Sequence, residues 1–348
     1  MTNFRTIHNR NLQGLFYTFV SPEYTRILES ASAFGKVVMR CLDRLTFRVP
    51  DATACCSFYE QMLGMSNIPI ISSSPNHETT AAASDKVLGF ASNPRGLKLA
   101  FLETIDDTTR TPTSITLADE TTRPCTVRQS TSKDAFWKIG VTVKHLDSAV
   151  AFLQKQGVSV SKPAQFQDIG YLCHLRDPAG ISIELLQHAF QGHEDAIDEA
   201  EHPGDNHLHP IGGQATVAHI TIRTTNLSKL QEWCTKDMGM QLMSIQPVSD
   251  YGFTLYFYSW PGSDLSTMPN PSNLQAVENR PWLWARPYGL IEIQHLEKDE
   301  SAKLNSVLRS TPSHEAGPVE LLVVETNDEK NLKESVFCRI DCRRDLSL

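Results

Sequence analysis

Three ionisable side chains occur in strand-like stretches of the sequence where they could act together on a metal ion. Glu292 lies in LIEIQHLE (290–297) and Glu184 in ISIELLQ (181–187), each carboxylate alternating with apolar residues. Alternation places such a carboxylate on the strand face opposite its apolar neighbours, where burial is costly unless a cation compensates the charge. His219 opens a third strand, and one imidazole with two carboxylates is a workable ligand set for Zn²⁺, Ni²⁺, Fe²⁺ or Mn²⁺. Taken alone, a glutamate in a strand is more often a salt-bridge residue than a metal ligand. A single histidine is likewise more often a packed or surface residue.

The strand that begins at His219 belongs to a phrase that the chain writes twice. RLTFRVPDATACCSFYEQMLGM (44–65) returns without a gap as HITIRTTNLSKLQEWCTKDMGM (219–240). Gly64 and Gly239 are 239 − 64 = 175 residues apart, and half of the 348-residue chain is 174. The spacing predicts an internal duplication.

Each copy reads as a strand, a turn and a short helix. Asp51 and Asn226 are suitable N-cap residues, and apolar residues then follow at helical spacing. Gly64 and Gly239 stand where a helix favours a C-terminal glycine. The aromatic residues on the helical faces are predicted to be core residues: Phe58, Phe152 and Trp233.

Two further units complete the organisation of the chain. FWKIGVTVKHLDSAVAFLQKQGV (136–158) repeats the pattern and leads into two alternating strands joined by a predicted turn at Asp177, Pro178 and Gly180. A faint fourth copy begins at Gly317, and the sequence ends before its closing hairpin. The four units cover residues 42–105, 135–190, 216–298 and 316–348, the last truncated.

The division of the chain follows from these units. We expect an N-terminal arm or targeting segment at 1–41, a first domain of two units at 42–190, a linker at 191–215 and a second domain at 216–348. The linker is rich in acids and glycine, so its histidines indicate a solvated segment more than a metal cluster. Its histidines are His193, His202, His207 and His209.

Composition narrows the range of functions. The net charge is −8 without a basic stripe, which argues against nucleic acid as a partner. No apolar run reaches the 18 or more residues of a membrane span, which predicts a soluble protein that does not bind a membrane. The eight cysteines include no C-x-x-C pair, as is ordinary in a reducing compartment such as the cytoplasm. The basic, serine-containing segment 1–41 leaves mitochondrial or other organelle targeting open.

The repeated phrases resemble glyoxalase I, lactoylglutathione lyase, of the vicinal oxygen chelate superfamily. HITIRTTNLSKLQEWCTKDMGM with WLWARPYGLIEIQHLE is similar to the first half of that family, and WKIGVTV with LRDPAGISIELLQ to the second half. The resemblance covers most of residues 42–298 and implies an α+β fold of tandem βαβββ modules. A single chain of four modules is similar to the fused, monomeric glyoxalases, in which modules two and three build one site.

The resemblance also implies roles for individual residues. The metal ligands would be His219, Glu292 and Glu184, with Glu184 also the catalytic base. A family histidine falls on Lys138, which as an ammonium cannot ligate, and the arginine that contacts glutathione falls on Arg223. Both are therefore assigned to substrate binding. In the first unit the ligand position falls on Arg44, and the fourth unit lacks its glutamate strand.

The activity implied is a carbon–sulfur lyase that uses Zn²⁺ or Ni²⁺ and turns the methylglyoxal–glutathione hemithioacetal into S-lactoylglutathione, in a monomer or homodimer. Two alternatives stay open. One is a noncatalytic protein that keeps the fold and binds a small molecule. The other is an extradiol-type dioxygenase, which is disfavoured because that chemistry uses Fe²⁺ held by two histidines and one carboxylate.

Overall fold

A computed structural model describes residues 39–68, 86–93, 95–103, 134–193, 209–224, 226–296, 317–326 and 335–341. The N-terminal segment up to residue 38, most of the acidic linker and the threonine-rich stretch 104–133 lie outside these residues. Among the described residues, no helix has both the length and the apolar character needed to cross a membrane.

The first two units form the following elements: β1 (Met39–Val49), α1 (Ala52–Leu63), β2 (Ser66–Asn67), β3 (Val87–Gly89), β4 (Lys98–Glu103), β5 (Asp134–Val143), α2 (Leu146–Lys155), β6 (Ala164–Phe166), β7 (Gly170–Arg176) and β8 (Ser182–Gln187). Strand, helix and antiparallel strands thus follow one another in both units, as the repeat predicts.

The third and fourth units form β9 (Thr216–Thr224), α3 (Leu227–Glu232), β10 (Gln241–Val248), β11 (Phe253–Ser259), α4 (Asn279–Trp284), β12 (Leu290–Leu296), β13 (Gly317–Thr326) and β14 (Ser335–Asp341). A π-helical turn, Trp233–Asp237, continues α3. The fourth unit departs from the pattern because residues 335–337, which continue its predicted helical phrase, belong to a strand antiparallel to β13.

The strands make two sheets, and each takes strands from both halves of the chain. The eight-stranded sheet has the order β10-β11-β12-β9-β5-β8-β7-β6, so it combines units two and three. The six-stranded sheet has the order β14-β13-β1-β4-β3-β2 and combines units one and four. This is the α+β architecture of curled βαβββ sheets that the sequence predicts.

Local residue chemistry explains the ends of the helices. The Asp51 side chain accepts a hydrogen bond from the Ala54 amide at 2.8 Å, and the Asn226 side chain caps α3. Gly64 ends α1 with a φ of 72°, and Gly239 has a φ of 65°. Both pairs of end signals are confirmed. At Gly64 a Cβ would also collide with the ring of His209, so only glycine fits there.

Two apolar clusters stabilise the fold. The larger cluster lies on the helical side and joins residues of both sheets, with Tyr59 of α1 donating a hydrogen bond to Asp177 Oδ2 at 3.3 Å. Phe58, Phe152 and Trp233 pack against this cluster but are only partly buried, so their prediction as core residues holds only in part. The smaller cluster combines strands of the eight-stranded sheet with the segment between β11 and β12.

Contacts between its two ends close the curl of the eight-stranded sheet. Gln167, after β6, donates to Asp250 Oδ2 at 3.0 Å, and the Phe166 and Tyr251 rings pack at 5.1 Å. Arg280 of α4 is buried and bonds to both the carbonyl and the carboxylate of Asp168. The segment before β12 therefore fastens unit three to unit two around one enclosed face.

Candidate metal centre

His219 lies on β9 directly opposite Gly140 of β5, at the junction of units two and three. The imidazole is 1 % exposed, and a Cβ at position 140 would overlap its ring. The absence of a side chain at Gly140 is thus what lets the imidazole lie flat across the neighbouring strand. Phe257 and Trp284 enclose the ring from the other side, with centroids 6.2 and 6.3 Å away.

Glu292 approaches His219 from the neighbouring strand. β12 and β9 are parallel, and Glu292 pairs in register with Thr221. Glu292 Oε2 lies 3.0 Å from His219 Nε2 and accepts a hydrogen bond from the Thr221 hydroxyl at 2.8 Å. Thr221 therefore fixes the carboxylate on the side facing the imidazole. Thr221 was not predicted as a site residue from the sequence, although its place two residues after His219 puts it on the same strand face.

Glu184 reaches the same point from unit two. It lies on β8, next to β5, and its Oε1 is 3.3 Å from His219 Nε2. Its other oxygen, Oε2, accepts a hydrogen bond from the Lys138 ammonium. Glu184 thus connects a histidine of unit three with a lysine of unit two.

A bulge in β5 brings Lys138 to this face. Phe136 pairs with Ile222 and Lys138 with Thr221, so Trp137 is an extra residue between consecutive partners. The bulge lets adjacent side chains share one face, and Lys138 Nζ lies 4.6 Å from the centre of the Trp137 ring. Lys138 is 4 % exposed. Its charge is therefore held between the aromatic ring and the carboxylate of Glu184.

A second histidine, His174, borders the site and was not predicted from the sequence. His174 pairs with Glu184 across the β7–β8 hairpin, and its Nε2 lies 3.1 Å from Glu184 Oε2. Its ring stacks on Trp137 at 6.2 Å. The turn at Asp177–Gly180 was predicted correctly, and counting outward from it pairs residue 174 with residue 184. That register was the available signal for His174.

The three predicted ligands come together with geometry that suits a divalent cation. One ligand atom each of Glu184, His219 and Glu292 lies within 4.8 Å of the others, and all three residues are buried. Neither ring nitrogen of His219 has a hydrogen-bond partner among the described residues, although two carboxylate oxygens lie close to Nε2. A buried imidazole nitrogen without a hydrogen bond is costly, and ligation of a metal would satisfy it. The donor set therefore fits a metal ion.

The charges around Glu184 determine its protonation. Burial alone would raise the pKa of Glu184, but the Lys138 ammonium, followed by the two histidines, holds this pKa well below its usual range. Glu184 is therefore an anion at neutral pH, and a weaker base than an ordinary glutamate.

Arg223 marks the rim of the enclosed face. Its Nε donates to Gln294 Oε1 at 2.6 Å, and its guanidinium lies 3.5 Å from the centre of the Trp137 ring. Burial lowers the pKa of Arg223 to about 9, against the opposing effect of Glu292, so the guanidinium keeps its charge at neutral pH. Its Nη2 has no hydrogen-bond partner among the described residues. Arg223 thus offers a charged donor two residues from Thr221.

The corresponding face of the six-stranded sheet carries a different set. Arg44 stands at the position of His219 and lies 3.7 Å from Glu320. Thr46, the counterpart of Thr221, pairs in register with Ala100, so the position of Glu292 is occupied by an alanine. Glu103 pairs with Val49 at the exposed end of β4 and is not the carboxylate of this position.

The linker histidines that the structure describes have other surroundings. His209 Nε2 lies 2.9 Å from the Gln61 carbonyl, and its Nδ1 accepts from the amides of Ile211 and Gly212, so it fastens the linker to α1. His193 packs against Phe190. His202 and His207 lie outside the described residues.

One family model matches part of the chain. Residues 41–185 match the family model of the Glyoxalase/Bleomycin resistance protein/Dioxygenase superfamily. Together with the curled βαβββ sheets, this match identifies the architecture as the vicinal oxygen chelate fold. No curated protein matches the sequence.

Solved structures give more distant similarities. Glyoxalase I from Zea mays is 13 % identical, with 75 % of this chain and 69 % of that chain covered and a TM-score of 0.45. A variant of the same maize protein covers 86 % of this chain and 92 % of its own, at the same identity and TM-score. TnmS3, an antibiotic binding protein from Streptomyces sp. CB03234, is 19 % identical over 42 % of this chain and 93 % of its own, with a TM-score of 0.26.

Proposed function

We propose that this protein is a metal-dependent isomerase of the glyoxalase I type, which converts the hemithioacetal of methylglyoxal and glutathione into S-lactoylglutathione. The observation that carries the proposal is the buried meeting point of Glu184, His219 and Glu292, contributed by three different strands. These residues would hold Zn²⁺ or Ni²⁺, which would polarise the two adjacent oxygens of the substrate.

The proposed reaction needs one group that moves a proton between neighbouring carbon atoms. Glu184 is assigned that role: it accepts the proton from C1 of the hemithioacetal and returns it to C2. His219 and Glu292 remain as ligands throughout, with the Thr221 hydroxyl orienting Glu292. Arg223 binds a carboxylate of the glutathione portion through its unpaired Nη2.

Enclosure of the site supports the same assignment. Phe257 and Trp284 form an apolar wall beside His219, and Trp284 is itself held by a hydrogen bond from its indole to the Ile169 carbonyl at 3.1 Å. Exclusion of water strengthens electrostatic interactions in the site and protects a reactive carbanion-like intermediate. An anionic base beside an apolar wall suits proton abstraction next to a carbonyl.

The test is a measurement of bound metal combined with an enzyme assay. Purified protein is analysed for metal content, and S-lactoylglutathione formation is followed before chelation, after chelation and after return of Zn²⁺ or Ni²⁺. The proposal expects activity that disappears with the metal and returns with it. Protein that binds metal but forms no S-lactoylglutathione would rule out this substrate, and protein that binds no metal would rule out the mechanism.

One observation favours a second candidate function. The Lys138 ammonium already neutralises Glu184, as a metal ion would. In this alternative the protein binds a small anionic molecule at Arg223 and Lys138 without a metal and without turnover. Calorimetric titration with a glutathione conjugate into chelated protein separates the two, since only the alternative expects undiminished binding. An extradiol dioxygenase is less well supported, because the cluster has one histidine and two carboxylates.

A further inference from the structure

Lys138 and a divalent cation would have to share a single carboxylate. Lys138 Nζ is bonded to Glu184 Oε2, while Glu184 Oε1 faces His219. Both residues are buried, so solvent screens their charges little. The carboxylates of Glu184 and Glu292 and the ammonium of Lys138 together carry −1, and a bound divalent ion would change that sum to +1.

From this geometry we infer that Lys138 is an internal competitor of the metal, an ammonium that holds Glu184 in the metal-free protein and weakens metal binding. The inference rests on the proposed function for its metal site and adds a control element to that site. The metal would bind fully only when Lys138 releases Glu184.

Two features of β5 support the competition. The bulge at Trp137 directs Lys138 and the indole to the same face, so contact with the indole keeps the ammonium beside Glu184. Lys138 also lies diagonally across from Glu184 on adjacent parallel strands, with Gly140 as the direct partner of Glu184. The lysine therefore reaches the carboxylate without occupying the position directly opposite it.

The experiment measures metal affinity rather than turnover. Chelated wild type, Lys138→Met and Lys138→Gln are titrated with Zn²⁺ or Ni²⁺ in a calorimeter. Removing the competing charge should tighten binding by about tenfold or more, because repulsion between two cations a few ångströms apart is weakly screened in a buried site. The matched control is Lys98→Met, since Lys98 forms a comparable, largely buried ion pair with Asp43 at 2.5 Å in the other sheet. Its affinity for metal should equal that of the wild type.

Folding is checked on the same samples by circular dichroism and thermal melting. Lys138→Gln keeps an amide donor for Glu184, so it separates loss of charge from loss of the hydrogen bond. Where a lysine variant melts early without metal, the competition shows instead as a larger rise in Tm on addition of metal, because tighter binding to the folded state stabilises it more.

The possible results are distinct for the inference and for the proposed function. Metal binding by the lysine variants but not by the wild type would support the inference and exclude a metal enzyme. Equal or weaker binding by both lysine variants would overturn the inference while leaving the metal enzyme in place. Absence of binding in every variant would overturn both.

Discussion

Each of the two sheets contains one copy of the repeated phrase, yet among the described residues only the eight-stranded sheet brings metal-ligating groups together. In the eight-stranded sheet, Thr221 is flanked in register by Glu292 and Lys138. In the six-stranded sheet the equivalent Thr46 is flanked by Ala100 and Glu320. Both sheets therefore have a threonine at this position, but alanine replaces Glu292 and a glutamate replaces Lys138 beside it. Equal backbone positions thus fix where chemistry can occur, and the side chains of neighbouring strands decide whether it does.

The difference also shows how each sheet neutralises its buried charges. Arg44 and Lys98 of the six-stranded sheet form ion pairs with Glu320 and Asp43. In the eight-stranded sheet two carboxylates converge on one imidazole, and one lysine is bonded to Glu184 alone of the two. The ion pairs of the six-stranded sheet are electrically neutral. The cluster in the eight-stranded sheet keeps a net negative charge, which attracts a cation.

The first test of the difference between the sheets replaces each of two equivalent residues, His219 and Arg44, with alanine. His219→Ala should weaken Zn²⁺ or Ni²⁺ binding by more than about 100-fold, since it removes a ligand where even supporting groups contribute 10–100-fold. Arg44→Ala should leave metal affinity unchanged. Calorimetric titration measures both. If Arg44→Ala lost metal binding and His219→Ala did not, the metal site would lie in the six-stranded sheet instead.

Turnover compares Glu184 of the candidate site with Glu103, which ends β4 in the other sheet. Glu184→Gln preserves the shape of the side chain but removes the proton acceptor, so turnover of the hemithioacetal should fall about 10²–10⁴-fold. Glu103→Gln, at the exposed end of β4, should be as active as the wild type. The assay is initial-rate formation of S-lactoylglutathione. Comparable rates in all three proteins would remove Glu184 from the mechanism.

The shared threonine gives a matched pair for a smaller effect. Thr221→Val removes the 2.8 Å hydrogen bond to Glu292 while keeping the volume of the side chain, and metal affinity should fall about 10-fold to 100-fold. Thr46→Val makes the same change beside Ala100, where metal affinity should not respond. If both variants bind metal as the wild type does, Thr221 does not orient a ligand.

The last prediction concerns stability and the contact that Tyr59 of α1 makes with Asp177 in the β7–β8 turn. Burial raises the pKa of Asp177, the partner of Tyr59, to about 6 from an ordinary value of 3.8. The folded state therefore binds more protons than the unfolded state between about pH 4 and 6, so the contribution of Asp177 to stability is lost as the pH rises through this range. The loss is about 2–3 kcal/mol from the size of the shift.

Asp177→Asn should abolish that dependence. Urea unfolding at pH 4, 5 and 6 gives the difference in free energy of unfolding between variant and wild type, which should change by this amount across the range. A constant difference would show that the carboxyl of Asp177 ionises as freely in the folded protein as in the unfolded chain.

Much of the fold could be predicted from the sequence because its signals are local. Asp51, Asn226, Gly64 and Gly239 mark helix ends through their own backbone and side-chain chemistry, and the 175-residue spacing carries that information from one unit to the next. The fourth unit was predicted less well. Its polar phrase from residue 326 onward has helical spacing, but residues 335–341 pair with β13 instead.

The surroundings of the candidate site depended on register, which is less visible in sequence. Alternation was enough to direct Glu184 and Glu292 to one face, and the structure does bring both beside His219. The bulge at Trp137 breaks alternation and so hid the neighbourhood of Lys138 and Trp137. His174 and Thr221 were missed because each matters through its partner on the next strand.

The pairing of β1 has a consequence for the order in which the protein folds during synthesis. Met39 of β1 pairs with Thr326, which is synthesised 326 − 39 = 287 residues later. Asp134 of β5 pairs with Thr224, which is synthesised only 224 − 134 = 90 residues later. Closing the longer loop costs more chain entropy, and such distant contacts slow folding. We therefore expect the eight-stranded sheet to assemble first, while β1 keeps one unpaired edge until the last described strands are made.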